Sequence, residues 1–193
     1  IDIWAEGDVR FALAGRDGVA LALLEKELSN RVSFVGTWVS DFVESDPAEI
    51  MDEMVSSIGG VDIILLAYGV LGDQEIAEVN LKEAAHMIAT NYTSAVMWCL
   101  TAASILEKQK KGTLIVIGSV AGDRGRASNY VYGSTKGGLA VFVQGIAHRL
   151  SRQGARAILI KPGPVDTPMT MALPKGRLWS KPQTVAHDIV RVA

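Results

Sequence analysis

Val61-Asp62-Ile63-Ile64-Leu65-Leu66-Ala67 runs directly into Tyr68-Gly69, with Gly59-Gly60 before it and Gly72 just beyond. A short, nearly all-apolar segment rich in β-branched residues and bounded by glycines reads as a strand. The same pattern recurs on both sides of it. Upstream, 9–14 (VRFALA) reads as a buried strand, 19–29 as a helix, and 31–38 as a second strand closing at Asp41. Pro47 then opens a helix to about Ile58, which Gly59-Gly60 end. Downstream, the turn around Gly69 and Gly72 leads into a long helical region from about Glu75 to Lys110, with a break near Asn80 and a stop at Gly112. A strand over 113–117 (TLIVI), a loop over 118–128, a helix over 129–152 and a strand over 155–160 (ARAILI) follow. The last strand enters Lys161-Pro162-Gly163-Pro164; the segment to Trp179 is loop-like, and a final helix opens near Pro182. Strands alternating with helices predict an α/β fold with a Rossmann-like doubly wound parallel sheet in three α/β/α layers. With no linker, repeat or low-complexity stretch, one domain over 1–193 is expected.

Composition narrows the function. With 49% hydrophobic and 21% charged residues, the chain has the profile of a soluble globular protein. The small basic cluster Lys108, Lys110 and Lys111 sits where a helix should end, where cations complement the helix dipole. No basic stripe extends it, so nucleic acid is not an expected partner. No apolar run reaches about 18 residues, so no membrane span is expected. Cys99, the one cysteine, lies in an apolar run and reads as a core thiol in a reducing compartment, which points to the cytoplasm. His86, His148 and His187 have no metal-ligand spacing with one another or with Cys99, so no metal site is expected. The opening, Ile1 to Asp8, reads as the tail of an amphipathic helix entering a turn. The chain is therefore expected to be incomplete at its start, and at its end as well, where a further strand would follow the last helix.

Ligands in such sheets bind beyond the carboxyl ends of the strands. Tyr132 and Lys136 stand four apart on the predicted helix and share a face. A phenol with a pKa near 10 is a poor base at neutral pH, and a neighbouring ammonium favours the phenolate. The segment Ile115-Val116-Ile117-Gly118-Ser119-Val120-Ala121-Gly122 places Ser119 thirteen residues before Tyr132. Further on stands Lys161-Pro162-Gly163-Pro164-Val165-Asp166-Thr167, and upstream Thr90-Asn91-Tyr92. These four segments, in this order, resemble the short-chain dehydrogenase/reductase family over nearly the whole chain.

The resemblance implies an oxidoreductase that moves a hydride between a nicotinamide cofactor and a carbonyl or alcohol. On it, Ser119 would hydrogen-bond the substrate oxygen, and Tyr132 would pass the proton to or from that oxygen. Lys136 would depress the Tyr132 pKa and bind the nicotinamide ribose, and Asn91 would anchor a water in the relay behind it. Val165 and Thr167 would fix the nicotinamide carboxamide, with Ala67, Gly69, Pro162 and Gly163 lining the cofactor at strand ends. Asp41 resembles the residue that binds adenine. Arg16 suits the 2′-phosphate of NADP, while the adjacent Asp17 keeps NAD open. NADP(H) is therefore the expected cofactor, with NAD(H) as the alternative.

Two departures stand out. The family's Asn-Asn-Ala-Gly is here Leu66-Ala67-Tyr68-Gly69, and no Gly-rich phosphate turn with its own strand lies upstream of Val9. The stretch 65–74, with 119–122 and 129–136, resembles bacterial polyprenylphosphoryl 2-keto-pentose reductases, implying a lipid-linked or phosphorylated keto-sugar as substrate. Arg124 and Arg126, in the loop expected to face substrate, read either as partners of its phosphate or as solvated loop arginines. Two other readings stay open: a non-catalytic binding or scaffold protein, and an epimerase or dehydratase sharing Tyr-x-x-x-Lys. Tyr130 lacks a lysine at +4 and reads as packing or substrate lining. On the 129–152 helix, small residues (Gly133, Gly137, Ala140) and apolar ones (Val141, Phe142, Ile146, Leu150) make both sides sticky, for packing within one subunit or against another, and the family resemblance implies a homodimer or homotetramer.

Overall fold

The computed structural model describes residues 1, 3–5 and 8–193, and the chain divides into two compact units, 1–62 and 63–193. Of the expected helix tail at the start, Asp2, Glu6 and Gly7 lie outside the described residues. Trp4 and Ala5 donate their amides to Ile1 O at 2.9 and 3.1 Å, which makes one helical turn there.

In the first unit β1 (Arg10–Gly15) pairs in parallel with β2 (Phe34–Val39), from Arg10 opposite Phe34 to Gly15 opposite Val39. Parallel neighbours need a crossover, and α1 (Gly18–Leu28) supplies it, burying Leu21 and Leu28. Its N-cap is Asp17, whose carboxylate accepts from the amides of Val19 and Ala20, both at 3.0 Å. Thr37 on β2 donates to Glu25 on α1 at 2.9 Å. α2 (Pro47–Ile58) opens on proline and closes on Gly59 in the left-handed region at φ 72°, both as the sequence indicates. β2 starts three residues later than expected. The amides of Arg31 and Val32 turn back to Leu28 O at 2.8 and 3.2 Å and so extend the end of α1.

The second unit holds a parallel sheet in the order β3 (Ile63–Leu66), β4 (Thr113–Ile117), β5 (Arg156–Ile160). The central strand is the most deeply buried, with Leu114, Ile115 and Val116 essentially out of water. The long helical region breaks at Asn80, which ends α3 (Gln74–Val79) and caps α4 (Leu81–Ile88) through a 3.1 Å bond from the Lys82 amide. Between α4 and α5 (Ala95–Gln109) the chain makes a π-helical turn over Ala89–Ser94, which propensity does not signal. α5 stops at Lys110, where the sequence places the end of the helical region, and Lys110 is itself left-handed at φ 57°. Trp98, Cys99, Ala102, Ala103 and Leu106 of α5 belong to the core. So do Leu139, Val143, Ile146 and Leu150 of α6 (Tyr130–Ser151). α7 (Pro182–Val192) ends the chain. No helix among the described residues is long and apolar enough to cross a membrane.

Candidate active site

The site in the second unit begins where β4 ends. The Gly118 amide donates to Ile160 O at 2.7 Å, and a Cβ on Gly118 would lie 2.9 Å from a Leu159 methyl carbon. Glycine thus keeps the two strands close. Ser119 follows in an extended conformation, and its Oγ accepts from the Ala121 amide at 3.1 Å, starting a 3₁₀ turn over Val120–Gly122. That leaves the hydroxyl proton free to be donated elsewhere.

This turn docks closely on the backbone of α6. A Cβ on Gly122 would lie 2.5 Å from Gly137 N, one on Gly133 2.8 Å from Ala121 O, and one on Gly137 2.9 Å from Gly122 O. The close approach brings Ser119 into side-chain hydrogen-bonding reach of Tyr132. It also corrects the expectation that Gly133 and Gly137 form a sticky face for another subunit, because the chain's own turn packs on them.

Lys136, 5% exposed, donates from Nζ to Ile117 O at 3.0 Å and sits 5.9 Å from the Tyr132 ring centre. Burial pulls its ammonium down to about 8. Burial pushes the Tyr132 phenol above 10, and the Ser119 hydroxyl offsets part of that rise. The depressed tyrosine expected from the lysine's proximity is not what this arrangement gives, because the loss of water dominates and only the Ser119 hydroxyl works against it.

Asn91 lies in the π turn, 1% exposed, and clasps the backbone of Val70 both ways. Its Nδ2 donates to Val70 O at 2.7 Å and its Oδ1 accepts the Val70 amide at 2.8 Å. A Cβ on Gly69 would fall 2.9 Å from Asn91 Oδ1 and 3.6 Å from Lys136 Nζ. The second unit therefore brings Gly69, Asn91, Ser119, Tyr132 and Lys136 together at the ends of β3 and β4, with Ala67 exposed just past β3. The segment after β5 is attached to the same place, since the Val120 amide donates to Pro162 O at 3.3 Å. Val165 bridges Ser180 in parallel, and the Thr167 amide is capped by Thr170 Oγ1 at 3.2 Å. Gly163 is exposed, with open space where a Cβ would stand, so packing does not demand glycine there.

Arg16 and Asp41 belong to the first unit. Arg16 is exposed just past β1. Asp41 follows β2 and accepts the Val43 amide at 2.9 Å, forming a turn. Tyr130, the first residue of α6, is half exposed and hydrogen-bonded to Glu78, which holds its phenol above the usual value. It lines a cavity of about 440 Å³ with Ala84, Ile88, Arg124 and Ser134, on the α6 face turned away from Tyr132 and Lys136. Sequence reasoning did not pick out Gln74, which is buried and accepts the Val131 amide at 3.0 Å. The Gly-x-x-x-Gly of 133 and 137 signalled close packing but not its partner. No cluster of three or more potential metal ligands occurs among the described residues.

A family model described as short chain dehydrogenase matches residues 3–178. An uncharacterised oxidoreductase of Streptomyces coelicolor, named for its position in the mprA 5′ region, is 36% identical over 179 residues, covering 92% of this chain and 70% of that protein. An uncharacterised oxidoreductase of Mycobacterium tuberculosis is 36% identical over 142 residues, 74% of this chain and 57% of its own length. The chain thus spans between about half and 70% of these relatives. Among solved structures, NAD+-bound xylitol dehydrogenase superposes with a TM-score of 0.76 at 19% identity, covering 95% of this chain and 75% of that one. ElxO with NADP bound gives 0.78 at 18% identity, covering 97% and 92%. These likenesses show a Rossmann-like α/β fold with parallel sheets.

Proposed function

The chain belongs to the short-chain dehydrogenase family, and from that premise we propose that it is an NADP(H)-dependent oxidoreductase of a carbonyl or alcohol substrate. The observation that carries this reading is the assembly of Ser119, Tyr132, Lys136 and Asn91 around Gly69. Bound NADPH would supply the hydride. Tyr132 donates the proton to the carbonyl oxygen, and Ser119 donates its free hydroxyl hydrogen to the same oxygen as negative charge develops. Lys136, held by Ile117 O, steadies the tyrosinate left behind.

The donor set suits a nicotinamide ribose. An ammonium has three donors, and Ile117 O takes one of them, leaving two for ribose hydroxyls. The missing side chain at Gly69 opens room beside them. Val165 and Thr167, after β5, are read as holding the carboxamide, with Ala67, Pro162 and Gly163 as backbone lining. Arg16 and Asp41 are assigned to the adenosine end. NADP is favoured over NAD because the Asp17 carboxylate is spent on the start of α1, while Arg16 is exposed.

The finer substrate reading is a phosphorylated or lipid-linked keto-sugar, supported by the resemblance of 65–74, 119–122 and 129–136 to keto-pentose reductases and by the exposed Arg124 in the loop that follows Ser119. A homodimer is supported by exposed apolar side chains on successive helices, Leu81, Ile88, Met97 and Val141. We assign the protein to the cytoplasm with its reducing nicotinamide pool, where a buried free thiol such as Cys99 persists. Titrating the protein with NADPH and following nucleotide fluorescence, then screening carbonyl compounds for NADPH consumption, tests the core of this proposal. Saturable binding and turnover are expected; no binding would sink it and leave a non-catalytic relative.

A further inference from the structure

The first four N–H groups of any helix lack intrahelical partners, and a side chain at the N-cap commonly takes one of them. α6, which carries Tyr132, begins without that help. Asn129, its N-cap residue, makes no side-chain cap bond, and its Oδ1 is buried without a partner. The acceptor comes instead from 57 residues upstream. Gln74, at the start of α3 and 9% exposed, takes the Val131 amide on Oε1 at 3.0 Å. Its Nε2 donates to Glu78 Oε1 at 3.3 Å, one turn along α3, which fixes which end of the amide faces α6. Glu78 in turn hydrogen-bonds Tyr130. A few residues before Gln74, Val70 clasps Asn91 through two bonds. The short segment 70–74 therefore grips Asn91 at one end and the first turn of α6 at the other.

We propose that Gln74 is a positioning residue for Tyr132, capping the tyrosine's helix from α3 and locking its first turn to the segment that holds Asn91. This rests on reading Tyr132 as the proton-transfer group. Tyr132 is the residue after the capped amide, and a displacement of about 1 Å in such a group costs about a hundredfold in rate.

The test labels the protein with 15N and with 13Cζ-tyrosine; its four tyrosines give four ring signals, and Tyr132→Phe identifies the one of interest. In the unmodified protein the Val131 amide exchanges about tenfold more slowly than the free rate for its sequence, the factor one ordinary hydrogen bond supplies. Exchange at the free rate overturns the proposal. Gln74→Met removes the acceptor at similar volume. The tenfold protection is then lost, and the Tyr132 titration midpoint falls toward 10 as its turn loosens and the phenol gains water. Of the ionisable groups beside this turn, Lys136 on α6 and Glu78 on α3 are unaltered by that change, while Tyr130, which loses its hydrogen bond to Gln74, is followed by its own ring signal. The exchanged pair Gln74→Glu with Glu78→Gln keeps an acceptor facing Val131 and restores both values. A folded Gln74→Met with an unmoved Tyr132 midpoint overturns the proposal, as does an exchanged pair that behaves like Gln74→Met. If Gln74→Met does not fold, exchange in the unmodified protein and in the exchanged pair decides. None of these readouts needs nucleotide or substrate, so failure of NADPH binding would sink the functional reading without touching this one.

Discussion

Holding an ammonium almost out of water costs Lys136 the interval between 10.5 and about 8. At about 1.4 kcal/mol per unit this is a burden of about 3 kcal/mol on the folded state. Because the folded value lies below the unfolded one, the burden is fully present below about pH 8 and is relieved as pH rises from there toward 10.5. Lys136→Met should therefore raise stability in urea unfolding at pH 7, by about 2 kcal/mol after the loss of its bond to Ile117 O, while abolishing turnover. Carbonyl reduction should fall above about pH 8, where Lys136 loses the charge that steadies the tyrosinate; a flat pH–rate profile to pH 9.5 would contradict the assigned role. Tyr132→Phe should cut turnover by about 10²–10⁴-fold with NADPH affinity little changed. Arg16→Asp should weaken NADPH far more than NADH, as measured by the two dissociation constants. Of these residues, Ser119, Tyr132, Lys136 and Asn91 were legible because each sits on a short motif. The direction of the Tyr132 shift was not, because it depends on burial, and spacing along a helix says nothing about burial.

At the scale of elements, the sheet strands and the glycine- and proline-bounded helices could be read directly, since apolar runs and turn residues are local signals. The π turn over Ala89–Ser94 could not, because it is imposed by packing: it presents Asn91 to Val70 and puts Ser94 within 2.9 Å of the Tyr68 hydroxyl. Tyr68, which stands in the segment that departs from the family's Asn-Asn-Ala-Gly, thus ties the end of β3 to that turn. The seating of Val120–Gly122 on α6 is a sterically exacting contact between elements. Gly122→Ala would drive a methyl to 2.5 Å from Gly137 N, where only backbone can yield. A loss of about 1–3 kcal/mol is expected, with turnover reduced beyond what the stability change explains because Ser119 moves with the turn. Urea unfolding and turnover measured on the same preparation check both.

For the whole molecule, a sequence with a net charge of −2 and a composition without bias excluded nucleic-acid binding as an expectation but said little about self-association. The exposed Leu81, Ile88, Met97 and Val141 supply a more specific argument, and the proposed dimer makes the thermal midpoint rise with protein concentration. Val141→Lys should abolish that dependence and halve the mass seen by light scattering, leaving NADPH binding intact. A monomeric unmodified protein would refute the dimer. The glycine contact on α6 carries a last consequence. A side chain begun at Gly133 or Gly137 would stand 2.8 or 2.9 Å from the carbonyl oxygen of Ala121 or Gly122, so the serine-bearing turn is seated on bare backbone. Such a clasp contains no charge and no titrating group. Salt and pH that retune Lys136 should leave the Hα resonances of these two glycines where they are.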